Sequence, residues 1–186
     1  MKLNKVSITL VISCVIIVII IIIFLRQLKQ LALGMLTNNY FTIDELCASD
    51  TARKRNIDNT PTPEVLSNLT LLRDRVLNPA REALGVTVYV NSGYRCPELN
   101  AAVGGTATSQ HTTGEAADIT TKSRKRNQQL FAILIQQGNF DQLIWEGNGK
   151  WIHVSYCETA NRGTVLAQNA NGGYTSIQSN WQTVIV

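Results

Sequence analysis

The chain has almost no histidine. Its 186 residues include two, His111 and His153, so imidazole chemistry is confined to their neighbourhoods. Cysteine is sparse as well. Cys14 sits in an apolar run, which leaves Cys47, Cys96 and Cys157. No two of these make a close CxxC pair, which argues against a cysteine zinc knuckle, and an odd three do not make a disulfide framework. One bridge plus one free thiol stays open for an exported domain, and the sequence does not select the pair. No internal repeat is visible.

Charge is missing in two respects. Residues 6–25 carry no charged side chain and are dominated by isoleucine and valine. At helical rise such a run spans about 30 Å, the thickness of a bilayer core. A cleaved signal peptide would be shorter in its apolar part and end in small residues. The expectation is an uncleaved anchor over residues 1–30, spanning about 6–25, then a linker over 31–40 and a domain over 41–186. Lys2 and Lys5 precede the run and Arg26 and Lys29 follow it. With the amino terminus added, the count tips the N-terminus inside and the domain to the extracytoplasmic side. Translation from Met35 would give a product without the anchor.

Net charge is absent from the remainder. Four of the 17 Lys and Arg residues lie in residues 1–35, which hold no Asp or Glu; the other 13 are matched by 13 acidic residues. A neutral domain has no general electrostatic footprint for nucleic acid, so no nucleic-acid partner is expected. Arg53-Lys54-Arg55 and Arg124-Lys125-Arg126 read as solvated faces or helix starts.

Helix and strand signals then alternate along the chain. Thr42 and Glu45 form a capping box for a short helix, followed by a polar loop over 50–60. Thr62-Pro63 opens the longest helix. Its apolar stripe is Val65, Leu69, Leu72, Val76, Ala80 and Ala83, with Pro79 a possible kink and Gly85 the stop. Residues 86–90 read as a strand. A short helix follows over 96–103, closed by Gly104-Gly105, a strand starts at Ala117, and Ser123 caps a helix that ends at Gly138. Strands over 142–145 and 151–156 and a hairpin around Asn171-Gly172-Gly173 complete the pattern. Close strand–loop–strand pairs imply antiparallel ladders, and the fold class is α+β.

The centre of the chain is Ser109-Gln110-His111-Thr112-Thr113-Gly114-Glu115-Ala116-Ala117-Asp118-Ile119. Gly114 allows a bend that brings His111 and Asp118 together. Strand alternation over Trp151-Ile152-His153-Val154-Ser155 turns His153 away from the aliphatic pair. Two imidazoles and a carboxylate suit zinc, with a fourth position for water. Each histidine taken alone reads better as an ordinary, partly buried, hydrogen-bonded residue than as a ligand; the two with the aspartate point to the metal.

Ser92-Gly93-Tyr94-Arg95, the stretch 109–119 and Trp151-Ile152-His153-Val154-Ser155 together resemble the M15 zinc peptidases. The likeness is to the D-alanyl-D-alanine carboxypeptidase branch, which shares its fold with murein endopeptidases and hedgehog signalling domains. The resemblance covers roughly residues 38–170. It implies an α+β domain with a small antiparallel sheet and one Zn2+ on His111, Asp118 and His153. It implies that Arg95 and Ser109 bind substrate. Some relatives carry a carboxylate three residues before the last histidine, where this chain has Lys150; others have a histidine two before it, where this chain has Trp151. The remaining candidate base is Glu146, which resembles the glutamate preceding the final ligand in the hedgehog fold. Glu115 is expected to face solvent. The implied activity is hydrolysis of peptidoglycan stem peptides or cross-links at a D-alanine bond by a monomer, in wall maintenance or phage lysis. The alternative is a zinc-binding cell-wall module without catalysis.

Overall fold

A computed structural model of the protein describes residues 15–25 and 39–185. The chain divides into two units, Met1–Thr37 and Asn38–Val186. In the first, residues 15–25 form an exposed helix, α1. Among the described residues no helix is long and apolar enough to cross a membrane. At 1.5 Å per residue α1 reaches about 16 Å, half a bilayer core. Residues 6–14 of the expected span lie outside the described residues, so α1 by itself does not support the spanning helix.

The second unit starts with α2 (Ile43–Cys47), capped by the Thr42 hydroxyl, which accepts from Glu45 N. The expected polar loop is partly helical instead. Ser49 caps α3 (Asp50–Arg55), with Asp50 in its first turn and Arg53, Lys54 and Arg55 in its last. That polarity complements the helix dipole, and Ala52 buries the one apolar contact the segment offers. The basic run thus closes a helix.

The long helix breaks into three. α4 (Pro63–Leu72) is followed by a π-turn over Arg73–Leu77 and by α5 (Asn78–Leu84). Pro79 lacks an N–H, and the wider turn just before it absorbs the missing bond without ending the helix. The turn also rotates the buried stripe. Leu77 and Asn78 face inward, while Ala83 is exposed, contrary to the 3.6-residue period. Asn78 uses its buried amide to accept from Tyr40 N at 3.1 Å, fixing the start of the domain.

Six strands make one sheet in the order β1 (Tyr89–Ser92), β2 (Ala116–Thr120), β4 (Trp151–Ser155), β3 (Gln142–Glu146), β5 (Thr164–Gln168), β6 (Tyr174–Ser176). β1 begins later than expected because its partner runs out: Tyr89 pairs with Thr120, the last residue of β2. The sheet is mixed, not antiparallel as the sequence suggested, since β3 and β5 run parallel. Antiparallel β4 ends beside the start of β3, where Asp141 N donates to Ser155 O at 2.7 Å. The short segment 156–163 then passes the start of β3, and Thr164 N donates to Asp141 O at 2.9 Å. A chain entering at that end can only run alongside β3.

Alternation gives the sheet two faces. Ala117, Ile119, Leu143, Trp145, Ile152, Val154, Val165 and Ala167 join the buried core. α7 (Arg124–Gln137) covers them with Leu130, Phe131 and Leu134. Burying one such leucine stabilises the fold by about 2 kcal/mol, and Leu143→Ala would cost about 3 kcal/mol once the cavity is included. The other face carries Asp118, Ile144, Glu146, His153 and Leu166 and lines a cleft. Cys47, Cys96 and Cys157 are free thiols in this fold. α6 (Pro97–Ala102) and α8 (Trp181–Val184) complete the elements.

Candidate metal centre

Asp118 and His153 come together through sheet register. They are direct partners across β2 and β4, and both point to the cleft face. His111 arrives from a 3₁₀ turn, Gln110–Thr113, closed by Gly114 at φ 74°. A side chain at Gly114 would be strained at that φ and would sit 2.7 Å from Val65 O. The turn is tied down by Arg95 N, which donates to His111 O at 3.1 Å, and by Thr112 Oγ1, which donates to Ser109 O at 2.6 Å.

The three side chains converge on one point. Asp118 Oδ1 lies 3.0 Å from His153 Nδ1 and 3.4 Å from His111 Nε2, and the two ring nitrogens are 3.3 Å apart. His111 is 2% exposed, and its Nδ1 sits 2.7 Å from Gly93 O. A carbonyl can only accept, so Nδ1 carries the proton and Nε2 of the neutral ring presents a lone pair. With His153 Nδ1 unprotonated as well, the centre presents three electron-pair donors to one point, a set that suits a cation. Ligands at the usual zinc–nitrogen distance occupy tetrahedral corners about 3.3 Å apart. The observed separations of 3.0–3.4 Å match, so the donor set fits zinc. Burial alone would raise the Asp118 carboxyl. In the metal-free protein, where the two rings are protonated, their hydrogen bonds to Asp118 and their charge outweigh burial and hold it well below the usual carboxylate range.

The cleft in front of these residues has a volume of about 900 Å³. Arg95, Ser109, Glu146 and the three donors all line it, so the structure brings every candidate side chain to one cavity. Arg95 Nη2 donates to Ser109 Oγ at 3.5 Å, and its buried Nε has no partner among the described residues. Burial lowers the Arg95 guanidinium, against the opposing pull of Asp118 and Glu146. Glu146 sits at the end of β3. Its Oε2 accepts from Trp151 Nε1 at 2.5 Å and its Oε1 from Tyr174 OH at 3.0 Å. Glu115, by contrast, accepts from Thr113 Oγ1 at 2.8 Å and is absent from the cleft lining.

Three contributors were not read from the sequence. Gly93 supplies the carbonyl that orients His111, and a side chain there would collide with Leu46 O. Asp141, 2% exposed, accepts from Gln110 Nε2 at 2.9 Å and from Arg162 Nε at 2.8 Å. It thereby locks the residue before His111 to the start of β3. Tyr174 joins from the β5–β6 hairpin. An acidic residue between Phe140 and a buried strand was the available signal for Asp141; nothing local marks Tyr174.

Comparison with curated proteins finds no match. A family model described as Peptidase M15 matches residues 39–155, more than half of the chain and all three donors. The protein belongs to the peptidase M15 family, whose members are zinc-dependent peptidases.

Proposed function

We propose that the protein hydrolyses peptidoglycan stem peptides or cross-links at a bond involving D-alanine, in the manner of the D-alanyl-D-alanine carboxypeptidase branch. The observation that carries this reading is the meeting of a His–Asp–His donor set, a carboxylate and a guanidinium in one cleft. His111, Asp118 and His153 would hold one zinc ion. Zinc bound there polarises a carbonyl and acidifies water. Glu146 acts as general base: each of its oxygens accepts one donor and keeps a second lone pair. It takes the proton of the attacking water and returns it to the leaving amine as the C–N bond breaks. Arg95, with free donors in the cleft, holds a substrate carboxylate or carbonyl, and Ser109 orients it.

A second reading has its own support. The positions where relatives carry a base hold Lys150 and Trp151, and Trp151 bonds to Glu146. A zinc-binding wall module without catalysis is compatible with both facts. The two readings separate when the full chain, loaded with zinc, is given purified muropeptides and the products are read by mass spectrometry. Hydrolysis by the wild type, reduced about 100-fold or more in Glu146→Gln with zinc content unchanged, is expected. Intact muropeptides at full zinc occupancy would sink the enzyme reading.

The apolar run at 6–25 is the ground for proposing a membrane tether, and the basic residues that flank it for placing the domain on the extracytoplasmic side beside its polymer; the domain is proposed to act there as a monomer. Membrane fractionation with protease accessibility tests this; a chain recovered wholly without membrane, or a domain protected from protease added on the extracytoplasmic side, rejects it.

A further inference from the structure

Family membership rests on residues 39–155, yet the cleft does not end there. Arg162, Leu166 and Tyr174 line it from beyond the matched stretch. Two of them belong to the β5–β6 hairpin, which lies at the edge of the sheet beside β3.

The hairpin is fastened next to Glu146. Gln168 pairs with Tyr174 across it, and Gln168 Oε1 accepts from Gly147 N at 3.1 Å. Gly147 directly follows Glu146 in the chain. At the far end Val165 N donates to Gln178 Oε1 at 3.1 Å, and Ile177 N to Val165 O at 3.0 Å. The hairpin therefore holds its position relative to the end of β3, and the phenol of Tyr174 meets Glu146 Oε1 at 3.0 Å.

We infer that Tyr174 is a positioning residue for Glu146, gripping one carboxylate oxygen while Trp151 Nε1 grips the other. The inference rests on Glu146 being the base. A glutamate side chain held at one oxygen can still rotate about its last bond, which is soft and broad. Donors on both oxygens, from two different strands, fix the carboxylate plane and leave one lone pair on each oxygen for the proton in transit. Tyr174 touches no reacting atom in this scheme; it acts through Glu146. A tyrosine at a hairpin end, 53% exposed, is otherwise an ordinary surface residue, and its bond to Glu146 is what sets it apart. The phenol is raised above its ordinary value by burial and by Glu146, which both repels the phenolate and accepts the phenol's hydrogen bond.

The test compares wild type, Tyr174→Phe, Glu146→Gln and the double variant, all as zinc-loaded full chain, on purified muropeptides. Tyr174→Phe keeps the ring and removes only the donor. Its kcat is expected to fall about tenfold with KM within about twofold, at unchanged zinc content and melting temperature. The double variant is expected to be no slower than Glu146→Gln. With ring-labelled tyrosine in the metal-free chain, the Tyr174 resonance should titrate above 10 in the wild type and move down in Glu146→Gln. Wild-type turnover by Tyr174→Phe beside an inactive Glu146→Gln overturns the inference alone, as does a further tenfold loss in the double variant. A Tyr174 titration that ignores Glu146→Gln also overturns it. Wild-type turnover by Glu146→Gln, or none by the wild type, overturns the base assignment and the inference with it.

Discussion

Asp118 and His153 are register partners on the neighbouring strands β2 and β4, with carboxylate and imidazole 3.0 Å apart. Their contact is therefore set by backbone pairing, and the side chains need little freedom to make it. Asp118→Asn keeps the shape and removes the charge and the strongest donor. Zinc affinity, measured by chelator competition, should fall by more than about 100-fold with the fold intact by circular dichroism. Retained affinity would show that the aspartate is a bystander to the metal.

Gly114 is the hinge between His111 and β2. Alanine there must adopt φ 74° and meet Val65 O at 2.7 Å and Val65 Cγ1 at 2.9 Å. We expect Gly114→Ala to destabilise the protein by about 2 kcal/mol in urea unfolding and to weaken zinc binding in parallel. Loss of stability with zinc affinity untouched would mean that the turn does not set the His111 position.

The Asp141 carboxyl is held below its ordinary 3.8, chiefly by the Arg162 hydrogen bond. A depressed folded value adds stability above the unfolded value, and that stability is lost as pH falls through the folded one. Asp141→Asn should therefore cost about 1–2 kcal/mol at pH 7, discounted because the guanidinium is largely exposed. The cost should shrink in acid below 3.8. Urea titrations of the metal-free protein at both pH values read the difference; a cost equal at both would reject the linkage.

In the proposed function Arg95 holds substrate through charge and geometry. Arg95→Ala should raise KM on muropeptides about tenfold or more while zinc content stays at one per chain. Arg95→Lys should recover little, because an ammonium cannot reproduce the planar fork. Full recovery by lysine would point to a general field instead.

Much of this was readable from local rules. Thr42, Thr62 and Ser123 cap helices as their sequence contexts predict. The alternation of Ile152, His153 and Val154 puts the histidine on the cleft face because sheet geometry leaves no other choice. Local rules failed where a partner decides. The strand over 86–90 shifted to Tyr89–Ser92 because β2 ends at Thr120. The parallel β3–β5 pair depends on Asp141 catching both Ser155 and Thr164, contacts distant in sequence. Charged residues in Asp50–Arg55 disguised a helix whose stability comes from caps and dipole, with little apolar periodicity. The site followed the same division. His111, Asp118 and His153 stand out as rare residues in a tight pattern, whereas Tyr174 reaches Glu146 only through hairpin docking.

The pairing of β2 with β4 has one more consequence. A slip of a single residue would set Asp118 opposite Ile152 or Val154 instead of His153, and would turn one strand inside out. The same slip would bury a carboxylate among aliphatic side chains and scatter the three donors. Metal capture and core closure are thus satisfied by one alignment only, so an ion bound by the folding chain would act as a proofreader of strand alignment.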